Sequence, residues 1–363
     1  MGGWPPGARR EEGSMPGKAC AIWVNYNSMR FISLALESLD SIASQDYADV
    51  EVIVVDNGSS DGSIDVIEER LASTTRPHRV IRLGRNTGFA NAVNEGFEAA
   101  VREGCSYVVL VNNDAVLEPH AFTEMLEYLE QHPRVGGVSG VLVNPATGRV
   151  DAAGGVLIDN GLFAGRWTGG DPAAIPRHPV HISFVDGALA ALRVEAVRRA
   201  GYRGKPFIPD TFAYCDDNLL SFAMWSSGYS SVALPRILGR HARSTTFGRR
   251  ATLGLYLSYR CIAMHAHGYM PLPTRLYLQA LTAKRALIMP IARRDPHLAT
   301  LIIRAWRDGK KLAKKHREYL SRIKWEAIPK YRLTTAEKLA ALIAYNRIRY
   351  DWSRYDNQHR APD

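Results

Sequence analysis

The stretch that decides the fold is EVIVVDNGSSDGS, from Glu51 to Ser63. Its apolar run, Val52–Val55, is β-branched throughout, which is typical of a strand buried on both faces. The run ends on Asp56, and a cluster of small polar residues then leads into a helical pattern. A carboxylate therefore stands at the end of a buried strand, beside a tight turn into a helix. Open α/β sheets bind their ligands at such a place.

The same alternation of strand and helix recurs on both sides of this stretch. Apolar runs predict four further strands: Cys20–Val24, Val80–Leu83, Tyr107–Val111 and Val135–Val143. Such βαβ units indicate an α/β fold with a mostly parallel sheet. Polar residues follow the ends of four of the strands within three positions: Asn25, Asp56, Asn86 and Asp114. Because parallel strands end at one edge of a sheet, we expect these side chains to converge there.

The chain becomes less regular after the fifth strand. Residues 144–179 are rich in Gly, Pro and Ala, and they predict an irregular region with a hairpin around Val156–Phe163. Val232–Leu238 predicts a strand at the edge of the sheet, because Pro235 cannot donate a ladder hydrogen bond.

The composition is that of an ordinary globular protein. Of the 363 residues, 46% are hydrophobic and 23% are charged, which suits one large domain and an extension. The four cysteines lie far apart in the sequence: Cys20, Cys105, Cys215 and Cys261. Because their spacing matches no metal or redox motif, we expect buried or free thiols in a reducing compartment.

Charge divides the chain into an acidic front and a basic rear. Residues 1–230 hold 19 Lys and Arg against 28 Asp and Glu, a net charge of −9. Residues 231–363 hold 27 against 8, a net charge of +19, which together with the front gives the +10 of the whole chain. The basic rear should favour an anionic partner.

Residues 1–18 are rich in Gly, Pro and Arg and contain no apolar core run, so we expect a disordered segment and neither a signal peptide nor an anchor. No run of 18 apolar residues occurs, and no transmembrane helix is predicted. We therefore expect three regions: the disordered segment 1–18, an α/β domain over 19–245 and a basic helical region over 246–363.

The basic rear contains one strongly amphipathic pattern, His297–Trp325. Its apolar positions recur at helical spacing: Leu298, Leu301, Ile302, Ala305, Trp306, Leu312, Ala313, Tyr319, Leu320 and Ile323. The opposite face is basic: Arg304, Arg307, Lys310, Lys311, Lys314, Lys315 and Arg322. This pattern fits an anionic membrane surface, and it fits equally well an apolar stripe packed on the protein with a solvated basic face. Thr334 and Glu337 form a capping box that predicts the start of a last helix.

Seven motifs, in order, resemble those of the family 2 glycosyltransferases with a GT-A fold. They are VNYN (24–27), VVDNGSSDGS (54–63), RNTGFANAVNEG (85–96), NND (112–114), DGALAALR (186–193), FAYCDD (212–217) and GYSSVALPRILGRH (228–241). They cover roughly residues 19–245, and the resemblance is greatest to the rhamnosyltransferase-like branch that builds cell-surface glycans. One motif alone would be weak, whereas seven in order form a specific pattern.

The resemblance implies a nucleotide-sugar site on the strand ends. Asp56 would accept the imide N–H of uracil or thymine. Asp114 matches the last acid of the family's DxD motif, which binds Mg²⁺ or Mn²⁺ on the sugar-nucleotide diphosphate, and His241 matches a histidine near that metal. Further nucleotide-sugar contacts are expected from Asn25, Asn57, Asp61, Asn86, Gly88, Asn91, Asn112 and Asn113.

The resemblance also implies an acceptor side. Asp217 matches the catalytic base, paired with Asp216, and Asp186 and Gly187 would line the acceptor. Acids in a first helical turn also stabilise the helix dipole, so a capping role for the pair is the alternative. The chain departs from the family pattern at three positions: Asn112 replaces the first acid of DxD, Leu219 replaces a later acid, and Trp225 stands where many members carry Arg.

We therefore expect an inverting glycosyltransferase that moves a sugar from a UDP- or dTDP-linked donor to a hydroxyl of a glycan or lipid-linked acceptor. The absence of a QxxRW motif disfavours the processive synthases. A non-catalytic sugar-nucleotide or glycan-binding scaffold is the alternative. Nucleic-acid binding is disfavoured because no nucleic-acid module is present, and a dinucleotide oxidoreductase is excluded because VNYNSM replaces GxGxxG. A cytoplasmic location is expected, with peripheral attachment to the inner face of the plasma membrane as an option.

Overall fold

The structure is a computed structural model, and it describes residues 17–242, 251–338 and 350–362. Its strands are β1 Ala19–Asn25, β2 Val50–Asp56, β3 His78–Arg82, β4 Tyr107–Val111, β5 Ala115–Leu117, β6 Val135–Val143, β7 Val150–Ala152, β8 Gly155–Ile158, β9 Phe163–Gly165, β10 Val180–His181, β11 Leu189–Arg193, β12 Ser230–His241 and β13 Lys330–Tyr331. Its helices are α1 Ile32–Ala43, α2 Ser63–Ala72, α3 Phe89–Arg102, α4 Ala121–Gln131, α5 Val194–Ala200, α6 Asp216–Ser226, α7 Ala251–Gly268, α8 Leu272–Arg293, α9 His297–Lys315, α10 Arg317–Leu320 and α11 Trp352–Gln358.

One mixed sheet of ten strands organises the described residues. Eight strands follow the order β10-β12-β6-β11-β4-β1-β2-β3, while β5 pairs with β12 and β7 pairs with β6. Strands β1 to β4 form a parallel core, and β11 runs antiparallel to β4 and β6. The predicted α/β fold, a mixed and mostly parallel sheet flanked by helices, is confirmed. The apolar run of β2 is buried on both faces, as its β-branched sequence predicts.

The strand register places the predicted polar residues at one edge of this sheet. Asn25, the last residue of β1, lies opposite Asp56, the last residue of β2, and Asp56 lies opposite Arg82 in β3. Strand β4 ends beside Trp23 of β1, so the segment 112–114 follows at the same edge. The parallel register of these strands therefore brings polar groups that are distant in the sequence to one edge of the sheet.

The prediction that Val232–Leu238 forms an edge strand is wrong. This segment is part of β12, which lies between β10 and β6. The ladder between β12 and β6 shifts register between Ala233 and Ile237, and Pro235 lies inside this irregular stretch. A bulge of this kind tolerates a residue that cannot donate a ladder hydrogen bond. The predicted hairpin is present as the antiparallel pair β8 and β9.

The prediction of four separate thiols is also wrong. Cys20 in β1 is bonded to Cys105, and Cys215 at the start of α6 is bonded to Cys261 in α7. The Cα–Cα distances are 6.0 and 5.4 Å, within the usual range for a disulfide. The partners are 85 and 46 residues apart, so only the fold brings them together.

The apolar face of helix α9 packs on α7. The buried positions recur along one face: Leu298, Ile302, Ala305, Gly309 and Ala313. Gly309 has no room for a side chain, because the Arg260 backbone of α7 lies against it. The Tyr256 hydroxyl of α7 donates to Asp308 Oδ2 of α9 at 2.8 Å. The sequence allowed two interpretations of this helix, binding to a membrane surface and packing on the protein. Packing on the protein accounts for its apolar stripe. In the described ranges no helix is both long and apolar enough to cross a membrane.

The carboxyl-terminal tail returns to the α/β domain. Strand β13 pairs with β8, and Asp356 of α11 accepts from Arg166 Nε at 3.1 Å and from Trp167 Nε1 at 3.2 Å. The Arg166 side chain is fully buried, so removing the tail would leave a buried charge without its partner. The capping box at Thr334 and Glu337 forms as predicted.

Three predictions fall on residues outside the described ranges. The predicted domain boundary between residues 245 and 246 lies outside the described ranges, and so do residues 1–16. The helix predicted to start at the capping box is described only up to residue 338. Of the segment 1–18, Gly17 and Lys18 are described, and Lys18 Nζ pairs with Glu51 Oε2 at 2.9 Å.

Candidate active site

Asp56 and Asn25 form a buried polar pair at the ends of the two central strands. Asn25 Nδ2 donates to Asp56 Oδ1 at 2.9 Å, and the Ser59 amide donates to Asp56 Oδ2 at 3.0 Å. Ser28 Oγ donates to Asn25 Oδ1 at 2.6 Å. A carboxylate offers about four lone pairs, so each oxygen of Asp56 keeps the capacity to accept from a ligand.

Asn57 and Asn86 join the loops that follow β2 and β3. Asn57 Nδ2 donates to Asn86 Oδ1 at 3.2 Å, and the Thr87 amide donates to Asn57 Oδ1 at 2.8 Å. The Gly88 amide donates to Asn86 Oδ1 at 2.9 Å, directly before α3. Asn91 lies in the first turn of α3, half-buried. These residues shape the rim beside Asp56, as the strand-end pattern predicts.

Asp61 is occupied within its own turn. Its Oδ1 accepts from the Ser63 amide at 3.0 Å and from Ser63 Oγ at 2.6 Å, and its Oδ2 accepts from the Met29 amide at 2.9 Å. Partial burial acts to raise the pKa of Asp61, but these hydrogen bonds outweigh it, and the pKa lies below its ordinary value. Through these hydrogen bonds Asp61 connects the start of α2 to the loop after β1.

The segment after β4 is held mainly through the backbone of Asn112. Its amide donates to the Ala188 carbonyl at 3.1 Å, and its carbonyl accepts from Ser38 Oγ at 3.1 Å. Asn113 and Asp114 follow, and both are buried. The contact with Ala188 connects this segment to the loop of Asp186, on the predicted acceptor side.

His241 stands between two carboxylates. The pairing of β12 with β5 brings His241 opposite Ala115, next to Asp114. His241 Nε2 lies 3.0 Å from Asp114 Oδ1, and Nδ1 lies 2.7 Å from Asp151 Oδ2. Burial lowers the pKa of His241, but the two carboxylates outweigh it and raise the pKa to about 9. The three side chains form one buried charged cluster.

Asp151 is the member of this cluster that sequence reasoning missed. It lies in the short strand β7, inside the region predicted as irregular, and no motif of the family resemblance includes it. Its pairing with His241 spans 90 residues and depends on β7 packing beside β6 and β12. Its one sequence signal is an acid between two apolar residues, Val150 and Ala152, which is too common to identify a site.

Asp217 lies at the start of α6 and faces the loop of Asp186 and Gly187, the predicted acceptor-side loop. The Gly187 amide donates to Asp217 Oδ2 at 3.2 Å, and the Asn218 amide donates to Oδ1 at 2.9 Å. Its surroundings are crowded, yet the side chain keeps partial exposure to solvent. Burial raises the pKa of Asp217 to about 7, and the charge of Asp186 adds to this effect. A partly exposed carboxylate with such a pKa can accept a proton near neutral pH.

Asp216 turns the other way, into the protein. It accepts a hydrogen bond from Thr211 Oγ1 and is buried, with Arg260 of α7 contributing the nearby positive charge. Burial raises the pKa of Asp216 well above its ordinary value, while the Thr211 hydrogen bond acts in the opposite direction. The adjacent acids therefore occupy different environments, and Asp217 is the more accessible of the two.

The segment that leads into these acids is conformationally strained. Phe212 has φ 64° and ψ −59°, and the Ala213 amide donates to the Thr211 carbonyl at 2.7 Å, which is a γ-turn of the rarer, left-handed kind. Tyr214 and Cys215 also have positive φ values. Non-glycine residues adopt such angles only where surrounding contacts impose them. Here the Cys215–Cys261 disulfide and the Ala90 amide, which donates to the Phe212 carbonyl, hold the segment.

Gly88 allows the close approach of this segment, and substituting it should disturb the acids. Gly88 has φ +89° and ψ 158°, and a Cβ there would lie 2.6 Å from Phe212. We expect Gly88→Ala to cost about 1–3 kcal/mol of stability from backbone strain, plus a displacement of Phe212. The variant should lower both the melting temperature and the transfer rate.

Gly84→Ala is the matched control, because Gly84 has φ +69° but open space around the added Cβ. It should lose stability from strain alone and keep most of its transfer activity. Equal activity losses in the two variants would show that the Phe212 contact does not position the acids.

Comparison with known proteins identifies the family. Residues 20–200 match the model of glycosyl transferase family 2. The domain that carries this site therefore belongs to glycosyltransferase family 2. A poly-beta-1,6-N-acetyl-D-glucosamine synthase of Staphylococcus epidermidis is 33% identical over 104 residues, which are 29% of this chain and 24% of that relative. An uncharacterized glycosyltransferase of Nostoc sp. is 32% identical over 120 residues, 33% of this chain and 35% of that relative. These matches span about a quarter to a third of the relatives' own length.

Solved structures confirm the GT-A fold. A mannosyltransferase from Pyrobaculum calidifontis, in complex with GDP-Man and Mn²⁺, has a TM-score of 0.51 at 19% identity, covering 85% of this chain and 86% of that one. TarS of S. aureus, residues 1–349 with UDP-GlcNAc, has a TM-score of 0.50 at 14% identity, covering 84% and 89%. None of these four proteins is named as a rhamnosyltransferase, so the comparisons do not support the expected rhamnosyltransferase-like branch.

Proposed function

We propose that this protein is an inverting glycosyltransferase that moves a sugar from a nucleotide-diphosphate donor to a hydroxyl of a glycan or lipid-linked acceptor. The observation that carries the proposal is Asp217, a partly exposed carboxylate whose pKa is raised to about 7. It accepts a hydrogen bond from Gly187 of the predicted acceptor-side loop, and that loop is hydrogen-bonded through Ala188 to the strand-end segment of Asn112. A scaffold that only binds sugars would need no such group.

The proposed reaction needs one base. The acceptor oxygen would bond to the anomeric carbon while the bond from that carbon to the diphosphate oxygen breaks, and Asp217 would take the hydroxyl proton. Attack on the face opposite the leaving group inverts the configuration at that carbon. Holding both reactants in this geometry supplies much of the rate enhancement, and the base contributes typically 10²–10⁴-fold.

The cluster of Asp114, His241 and Asp151 fits a divalent cation. A histidine that binds metal usually directs its second ring nitrogen to a carboxylate, which fixes the ring. Asp151 holds Nδ1 of His241 in this way, while Nε2 faces Asp114. Asp114 and His241 would be the ligands, a combination of oxygen and nitrogen that suits Mn²⁺, whereas Mg²⁺ would depend more on the carboxylate. When bound, the cation would neutralise charge on the leaving diphosphate.

The donor class can be tested with nucleotide diphosphates alone. The full chain is titrated with UDP, dTDP and GDP, with and without Mn²⁺, by calorimetry and thermal shift. We expect UDP or dTDP to bind and to raise the melting temperature, more so with Mn²⁺, since a ligand at 100 times its Kd adds about 2.7 kcal/mol of stability. If none of the three binds under any condition, the proposed function is wrong. A preference for GDP would keep the reaction but change the donor.

Asp56 is expected to recognise the base of the nucleotide. Asp56→Ala should weaken UDP binding by about 1–3 kcal/mol, roughly 5- to 150-fold, because a buried imide donor would lose its acceptor. Titration calorimetry on the variant gives this number directly.

Ser59→Ala is the matched control for Asp56→Ala. Ser59 Oγ accepts from Asn25 Nδ2 at 3.0 Å and from the Asn27 amide at 3.0 Å, so its loss loosens the same loop. If both variants lose equal nucleotide affinity, Asp56 acts by holding the loop rather than by contacting the base.

A further inference from the structure

Helix α8 presents an apolar face to solvent along its whole length. Its exposed large residues form two groups, one near the start of the helix and one near its end: Leu272 and Leu276, and Leu287, Ile288 and Ile291. Ala280 and Ala283 fill the gap between Leu276 and Leu287 on the same face, and both are exposed. Leu287 and Ile291 are 73% and 80% exposed, although residues of this type are usually buried. We call this surface the α8 apolar face.

The opposite side of α8 already packs on the protein. Leu278, Thr282 and Ala286 are its buried residues, and Ala286 belongs to a cluster with Ile302 and Ala305 of α9. The α8 apolar face is therefore a second apolar surface, which the fold of the described residues leaves uncovered. It extends from Leu272 to Ile291, a separation of 19 positions that corresponds to about 29 Å of helix. A continuous exposed patch of this kind marks an interaction surface.

Charge identifies the partner. Between residues 272 and 294 the sequence contains five cations and no acid: Arg275, Lys284, Arg285, Arg293 and Arg294. Lys284, Arg293 and Arg294 are exposed near the apolar residues. Docking against a second copy would bring like charges together, whereas an anionic lipid surface offers both a negative potential and an apolar interior. The helix is not apolar enough to cross a bilayer.

We propose that α8 docks this protein on an anionic membrane surface, with the α8 apolar face inserted at the level of the lipid headgroups and the flanking cations against the phosphates. This surface differs from the α9 stripe considered from sequence, which packs on α7. The inference does not depend on the reaction proposed above, because binding to lipid can be measured without any donor or acceptor.

The first experiment is flotation of the full chain with phosphatidylcholine vesicles, with and without phosphatidylglycerol. Binding should require the anionic lipid and weaken as salt rises. Ile291→Ser should reduce binding, and Leu287→Ser with Ile291→Ser should reduce it by about tenfold or more, since binding scales with the apolar area inserted. Both residues are largely exposed, so the melting temperature should hardly change.

Ile237→Ser provides the matched control, because Ile237 is also exposed, at 45%, but lies on β12. It should bind vesicles like the wild type. Arg293→Gln with Arg294→Gln should weaken binding by about fivefold for each cation removed and reduce the salt dependence.

Three results would overturn the proposal. One is a wild-type protein that ignores anionic vesicles at low salt. Another is an α8 variant that binds them as well as Ile237→Ser does. The third is a wild-type dimer in sedimentation velocity that the Leu287→Ser and Ile291→Ser double variant dissociates, because the α8 apolar face would then be a self-association surface.

Discussion

Asp217→Asn should fold normally, bind donor nucleotide normally and lose transfer by about a hundredfold or more. Asparagine keeps an oxygen for the Gly187 amide and caps a helix about as well as aspartate, so the structural role survives. It cannot take the proton of an acceptor hydroxyl. The measurements are melting temperature, nucleotide affinity and transfer rate on one preparation. A stable variant with near-wild-type transfer would show that the base lies elsewhere.

The pH dependence gives a second test of Asp217. Its pKa is raised to about 7, so the carboxylate is protonated below that pH and cannot act as a base. Wild-type transfer at saturating donor should therefore rise with pH through about 7, and Asp217→Asn should lose this step. Asp216→Asn is the control. Because Asp216 is buried against Thr211, this variant should keep most of the transfer activity. If Asp216→Asn removes transfer and Asp217→Asn does not, the two roles are reversed.

Asp114→Ala should abolish metal-dependent transfer. Asn112 replaces the first acid of the motif, so Asp114 is its remaining carboxylate, and His241 alone would hold a divalent cation poorly. Without the cation the charge on the leaving diphosphate would not be neutralised. Binding of Mn²⁺ in the presence of UDP, followed by calorimetry, should be lost together with activity. This second readout separates loss of the metal from a general loss of function.

Asp151→Asn provides a graded comparison for Asp114→Ala. It leaves both proposed ligands in place but removes the carboxylate that fixes Nδ1 of His241. Loss of such a partner typically costs 10–100-fold in metal affinity or activity, so the variant should retain measurable binding. Full activity of Asp114→Ala, or of the wild type in EDTA, would contradict a metal-dependent reaction.

Sequence reasoning predicted the convergence of the polar strand ends, where the nucleotide is expected, because its signals are local. Asn25, Asp56 and Asn86 each follow an apolar run, and the parallel register brings these strand ends to one edge. Hydrophobic periodicity and turn chemistry are sufficient for such a prediction. The same reasoning misplaced β12, because a local rule about proline cannot foresee a bulge that depends on the partner strand.

The surroundings of the predicted acceptor side could be read only from the fold. The contact between Gly187 and Asp217 spans 30 residues, and the different environments of Asp216 and Asp217 depend on Thr211 and on α7. Adjacent acids look equivalent in a sequence. Only burial and hydrogen bonding separate them, because these shift the pKa of each carboxyl according to its own neighbours.

By itself the sequence determined the strand–turn–helix units, the row of polar strand ends and the amphipathic character of α9, since each follows from residues close together in the chain. The tertiary structure alone decided how the cysteines pair, that Asp151 supports His241, and that α9 covers its apolar stripe while α8 exposes one. The physical reason is that an apolar or ionisable side chain has no fixed role until its surroundings are known. Those surroundings consist of residues tens to more than a hundred positions away. Asp114 and His241, for example, are 127 positions apart.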